Sequence, residues 1–184
     1  ATLNAHEQCT VKVGTGVTSS SAVQAANLAT RTVAVTLAGV TDPALKHSAL
    51  IIGTPVTEAP STISYTFALN VPLKVSDSIA LKLPTFGLSS VGTVTVSGCG
   101  TTTFTAAEAN GGAANAAVTL TAATATLNAY EQCTVKAATG VTSSSAVQAA
   151  NLATRTVAVT LAGVTDVAAE AITTSTAVAA PVLT

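Results

Sequence analysis

The chain carries the same segment twice, at residues 1–42 and 125–166, with a constant offset of 124 residues and no gap. The copies differ at three positions only: His6/Tyr130, Val13/Ala137 and Gly14/Ala138. A repeat of this length is too long for a solenoid unit of about 20–50 residues and has the size of a whole domain. The sequence therefore predicts a tandem array, of which the chain holds about one and a half units.

The boundary between units is predicted at residues 58–60, because residues 61–184 span one full period. Residues 1–60 would then be the C-terminal half of one β-sandwich repeat, and residues 61–184 a complete repeat. A boundary near residue 124 would instead give one whole domain followed by half of another. The sequence leaves both alternatives open.

Alternation of apolar and polar residues with period two, which is typical of β-strands, recurs along residues 61–184. It occurs at residues 63–69, 79–83, 94–96, 118–120, 133–135 and 157–161. Valine and threonine are frequent there, and both favour strands. About seven short strands per unit indicate an all-β fold of tandem, Ig-like β-sandwiches. Residues 143–154, copied at 19–30, fit either one or two helical turns or a loop over one end of the sandwich.

Charged residues make up only 8% of the chain, against roughly 25% in an ordinary soluble domain. Hydroxyl and small side chains must therefore cover the surface, which suits a protein that assembles with copies of itself or carries O-linked glycans. The net charge of −1 predicts no nucleic-acid partner. No apolar run reaches the ~18 residues of a membrane span.

The residue pattern predicts no enzyme, no cofactor and no metal site. Cysteine and histidine lack ligand spacing, the acids are scattered, and the serines at 143–145 lack a nucleophile elbow. His6 is replaced by Tyr130 in the second copy, and His47 lies where the copies diverge, so both histidines are predicted on the surface. The dispersed basic residues, Arg31 and Arg155 included, are also predicted on solvated faces.

The three cysteines represent two positions of the unit, because Cys9 and Cys133 are repeat equivalents. With the boundary at residues 58–60, we expect a disulfide between Cys99 and Cys133, and Cys9 would pair with a preceding unit or a neighbouring subunit. A boundary near residue 124 would favour Cys9–Cys99, and three free thiols are the remaining alternative. The Cys99–Cys133 loop would be worth about 3–4 kcal/mol of stability.

Several stretches of the complete unit resemble a known class of repeats. They are the alternating run at 61–83, the Leu-Pro-Thr-Phe-Gly motif at 83–87, and the threonine-containing segments at 92–98, 101–109 and 116–122. Their order is similar to tandem β-sandwich repeats in large surface and filament proteins of microalgae and other protists, and bacterial adhesin repeats share the same pattern. The resemblance implies an extracellular or cell-surface scaffold without catalytic residues.

We therefore expect a structural repeat of an extracellular filament or cell-surface coat that assembles head to tail with copies of itself. The alternative is the stalk of a cell-surface adhesin. An ice-binding face is less favoured, because Thr93/Thr95 and Thr101/Thr103 do not recur at a fixed spacing. A carbohydrate-binding accessory module is disfavoured by the absence of Trp. We also expect residues 61–184 to behave more nearly as a monomer than the whole chain.

Overall fold

Eleven β-strands run through the residues that the structure, a computed structural model, describes, which are 42–162 and 166–182. The strands are β1 (Leu45–Ile52), β2 (Pro60–Leu69), β3 (Ser78–Lys82), β4 (Gly87–Leu88), β5 (Val94–Ser97), β6 (Phe104–Ala109), β7 (Ala117–Ala122), β8 (Cys133–Thr142), β9 (Thr156–Thr160), β10 (Val167–Ala171) and β11 (Thr174–Ser175). No helix occurs among these residues. The all-β fold class predicted from the alternation is confirmed.

The strands form two sheets. The first has the order β11-β1-β2-β8-β4, with β5 also paired to β8, and the second has the order β10-β9-β3-β7-β6. Neighbouring strands are antiparallel except β1 and β11, which are parallel. Two such sheets sharing one core are consistent with a β-sandwich.

The core is built from the alternating side chains that the pattern predicts to face inward. Ile63, Tyr65 and Phe67 of β2 are buried, whereas the residues between them are partly exposed. Phe67 meets Phe104 of the second sheet edge to face, with ring centroids 6.1 Å apart. Such aromatic contacts stabilise beyond their buried area, so they matter in a chain with only 3% aromatic residues.

The compact unit runs from Thr41 to Thr184. It therefore includes β1, which the repeat period alone would assign to the preceding half-repeat. β1 pairs with β2 over almost its whole length, and its residues Leu50 and Ile52 are buried in the core. The expected boundary at residues 58–60 lies inside this unit, at the start of β2.

The second copy of the repeated segment supplies one strand to each sheet. β8 pairs with β2 on one side and with β4 and β5 on the other, while β9 lies between β3 and β10. Residues 143–154 between them form a loop with turns and a single bridge. Of the two alternatives for this segment, the helical one is wrong. Its copy at 19–30 lies outside the described residues.

Candidate functional site

A disulfide joins Cys99, in the turn after β5, to Cys133, the first residue of β8. Both residues are buried, and their Cα atoms lie 4.5 Å apart. Gly98 precedes the first of them at a φ of +71°, and a Cβ there would stand 2.7 Å from the backbone oxygen of Gln132. The bond therefore depends on a glycine turn that brings two chain segments into close contact.

Arg155, just before β9, is the largest fully buried side chain in the described residues, with 0% of its surface exposed. Its Nε and Nη2 both donate to Oε1 of Gln148, at 3.1 and 2.8 Å. Its Nη1 donates to Oγ of Ser175 at 3.0 Å and to the backbone oxygen of Thr176. The guanidinium also lies 5.9 Å from the ring centroid of Phe86. These partners are neutral, so the charge is stabilised by dipoles and an aromatic face.

Gln148 extends this polar cluster towards the turn between β3 and β4. Its Nε2 donates to the backbone oxygen of Pro84 at 2.8 Å and to Oγ1 of Thr85 at 3.2 Å. Oγ1 of Thr85 is also hydrogen-bonded to Oγ of Ser144, at 2.6 Å. The arginine cluster, as we call Arg155 with these partners, thus connects the 84–86 turn, the 143–155 loop and the segment around Ser175.

The buried position of Arg155 corrects the prediction that it lies on a solvated face. Desolvation lowers the pKa of its guanidinium, but an arginine remains charged because its ordinary pKa is so high. One signal in the sequence pointed to this role. The only two arginines of the chain, Arg31 and Arg155, occupy the same repeat position, and every other basic residue except the histidines is a lysine. The guanidinium group of arginine has five N–H donors in a rigid plane, which suits a buried site with several acceptors.

The hydrogen bonds of the arginine cluster hold separate backbone segments in place. Every polar contact of the arginine cluster runs to another part of the same sandwich, and no pocket opens beside it within the described residues. The described part of the chain also contains no group of three or more His, Cys, Asp or Glu side chains placed to hold a metal ion. Among these residues, no helix has the length and apolarity needed to cross a membrane.

The other residues singled out by sequence lie apart from one another. His47 is exposed on β1, and Ser143 and Ser144 are buried at the end of β8. Oγ of Ser143 donates to the backbone oxygen of Thr54 at 2.5 Å. Two glutamates accept hydrogen bonds from backbone nitrogens: Glu108 from Ser90 and Glu131 from Asn128. Cys9, His6 and Arg31 lie outside the described residues.

Two buried polar residues organise the opposite end of the unit, where the chain enters. Oδ1 of Asn70 accepts from the backbone nitrogen of Ala44 at 2.6 Å, and its Nδ2 donates to the backbone oxygen of Asp42 at 2.8 Å. Asp77 accepts from the backbone nitrogens of Lys74 and Ala162, both at 2.7 Å. These side chains fix the loop between β2 and β3 against the start of β1 and the end of β9.

Comparison with known protein families, curated proteins and solved structures finds no match to this chain.

Proposed function

We propose that this protein is a structural repeat of an extracellular filament or cell-surface coat, built from tandem Ig-like sandwich units that assemble head to tail. The proposal rests on the role of the repeated segment in the two sheets. The segment that occurs twice is the one that supplies a strand to each sheet, together with the loop that covers one end. A chain that contains this segment twice can supply the completing strands to more than one sandwich.

Two further features support a structural role outside the cell. The Cys99–Cys133 disulfide is of the kind that persists in oxidising compartments. The outward positions of β2 and β7 hold hydroxyl side chains where many domains have charges: Thr62, Ser64, Thr66, Thr119 and Thr121. Surfaces with so little charge pack against one another without electrostatic repulsion, and exposed hydroxyls are acceptors for O-linked glycans.

Negative-stain imaging of the oxidised chain at increasing concentration tests the proposal. We expect filaments with an axial repeat of one sandwich unit, because a contact made between two different surfaces need not close. Isolated particles at every concentration, together with a monomeric mass in solution, would contradict assembly. Such particles would favour the alternative of an adhesin stalk, in which units are joined only along one chain.

A further inference from the structure

Residues 1–184 contain two copies of the segment that completes the sandwich and one copy of the strands that receive it. We call residues 43–122, which provide β1 to β7, the acceptor half; this sequence occurs once. In the structure, residues 125–166 fill it. β8 enters the first sheet beside β2, and β9 enters the second beside β3. Without that segment, β2 and β3 would each lose one of their two neighbouring strands.

Apart from Ala137, the buried residues through which the segment contacts the acceptor half are present in both copies. Val135, Val141, Val157, Val159 and Leu161 are buried in the core, Cys133 bonds Cys99, and Gln148 and Arg155 hold the 84–86 turn. Their repeat equivalents are identical: Val11, Val17, Val33, Val35, Leu37, Cys9, Gln24 and Arg31. The first copy therefore has the same eight side chains as the copy that fills this place in the sandwich.

Only one of the three differences between the copies faces the core. Tyr130 is 66% exposed and Ala138 is exposed, so exchange at these positions changes the surface. Ala137 is 3% exposed and lies opposite Ile63 of β2 and Val94 of β5. The first copy has Val13 there, which would add two methyl groups to a packed interior.

From this arrangement we propose that residues 1–42 of a second copy of the chain are a partner for the acceptor half. They take the place of residues 125–166, with Cys9 bonded to Cys99 across the two copies. Ala137 is the residue that biases each acceptor half towards its own segment. The inference rests on the proposed function in one respect, that copies associate end to end, and it names the segment by which they do so.

The preference of the acceptor half for the segment with Ala137 over the one with Val13 follows from the cost of overpacking. Overpacking a core by two methyl groups typically corresponds to a roughly 5- to 150-fold preference for the smaller side chain, and the chain's own segment also has the advantage of high effective concentration. Exchange between copies is therefore disfavoured at low protein concentration and rises with concentration, most of all when chains fold together.

The disulfide can follow the exchange without an external oxidant. The thiolate of Cys9 attacks Sγ of Cys99, the Cys99–Cys133 bond breaks, and Cys133 leaves as a thiolate. The proton that Cys9 released ends on Cys133. One disulfide and one thiol are present before and after the step.

The test uses the full chain and its V13A variant, with H6Y as the matched control because that position is exposed in the described copy. Each reduced, unfolded chain is refolded over a range of protein concentrations in a glutathione redox buffer. Species are separated by size and cleaved at glutamate without reduction, which places the three cysteines in different peptides, since Glu7, Glu58, Glu108 and Glu131 lie between or beside them.

We expect V13A to raise the fraction of Cys9–Cys99 peptide at least 5-fold over the unsubstituted chain and over H6Y, in species larger than a monomer and increasingly with concentration. The C133S variant, whose own segment cannot bond, should show Cys9–Cys99 as its main disulfide in such species. The inference is overturned if V13A equals H6Y, if Cys9–Cys99 occurs only in monomers, or if Cys99 of C133S stays a thiol. Filaments that contain only Cys99–Cys133 in every variant would leave the proposed function standing and remove this inference.

Discussion

Arg155 carries a full charge into the interior, where its three hydrogen-bond acceptors belong to Gln148, Ser175 and Thr176. Burying a charge is costly unless the charged group is hydrogen-bonded, and Arg155 donates four hydrogen bonds. The cost is offset because one rigid guanidinium holds two segments that are far apart in sequence. On an exposed strand a guanidinium would have few protein acceptors, and at such positions this chain has lysine instead.

Replacing Arg155 by lysine should lower the free energy of unfolding by about 2–4 kcal/mol. The single ammonium cannot bond Gln148 through two nitrogens and also reach the acceptors around Ser175, so buried polar groups lose partners. Urea denaturation of the oxidised chain measures the change. Lys82→Arg, at the exposed last residue of β3, is the control and should stay within about 0.5 kcal/mol. Equal effects of the two substitutions would show that the arginine cluster contributes nothing specific.

Thr102 presents the opposite case. Its side chain is 1% exposed, and its Oγ1 has no hydrogen-bond partner among the described residues. Substitution by valine keeps the shape and removes an unsatisfied hydroxyl, so it should raise stability by about 0.5–1.5 kcal/mol. Thr103→Val, which deletes a hydroxyl bonded to Thr124 at 3.0 Å, should not stabilise. A loss of stability for T102V in thermal unfolding would contradict this account.

At the scale of elements, alternation in the sequence located six of the strands, and it did not locate β1. β2, β3, β5, β7, β8 and β9 all fall where the pattern predicted them. The pattern missed β4 and β11, which have only two residues each. It also missed β6 and β10, whose outward positions are occupied by alanine and glutamate. Such sequences resemble loops because edge strands are held by pairing on one side rather than by an apolar face.

β8 also contains an irregularity that the pattern could not show. Two residues of β2, Ser61 and Ile63, pair with β8 residues that are four apart, Val141 and Ala137. The extra residues bulge, and Gly140 lies there at a φ of +73°. A Cβ on Gly140 would stand 2.4 Å from the backbone oxygen of Ser89. The bulge thus brings the chain after β4 against β8.

Gly140→Ala should therefore cost more than backbone strain alone. Gly112 provides the matched control, because it has a similar φ of +80° but a Cβ added there would have no neighbour within 4 Å. Both substitutions carry about 1 kcal/mol for the left-handed backbone, and only G140A adds a clash with backbone atoms. We expect a difference of at least about 1–3 kcal/mol in urea denaturation. Similar losses for both variants would mean that β8 shifts freely.

At the scale of the whole molecule, the repeat indicated a period of 124 residues with two cysteine positions. It could not fix where a unit begins, and the choice between the disulfides Cys99–Cys133 and Cys9–Cys99 depended on that boundary. Any window of one period contains the same strands in a different order. Where a unit begins depends on which strand pairs with β2 on the side away from β8. That strand is β1, and it lies in a segment whose two copies have diverged. β1 forms one continuous strand in the first sheet, whereas its repeat counterpart, residues 169–176, is divided. Its first part ends β10, which pairs with β9 in the second sheet, and its later part forms β11, which pairs with β1 in the first.

The position of β1 leads to a prediction about the smallest stable piece of this chain. Residues 61–184, expected from the repeat period to be the more monomeric part, lack β1 and with it Leu50, Ile52 and the hydroxyl of Ser48 that bonds Tyr65 at 3.0 Å. Each apolar side chain contributes about 1.5–3 kcal/mol by its burial, and an uncovered β2 would be an open, apolar edge. Residues 42–184 should therefore be monomeric and unfold cooperatively, whereas residues 61–184 should be several kcal/mol less stable and associate. Sedimentation and urea denaturation of the two fragments measure this, and a monomeric 61–184 with equal stability would show that β1 is dispensable to the fold.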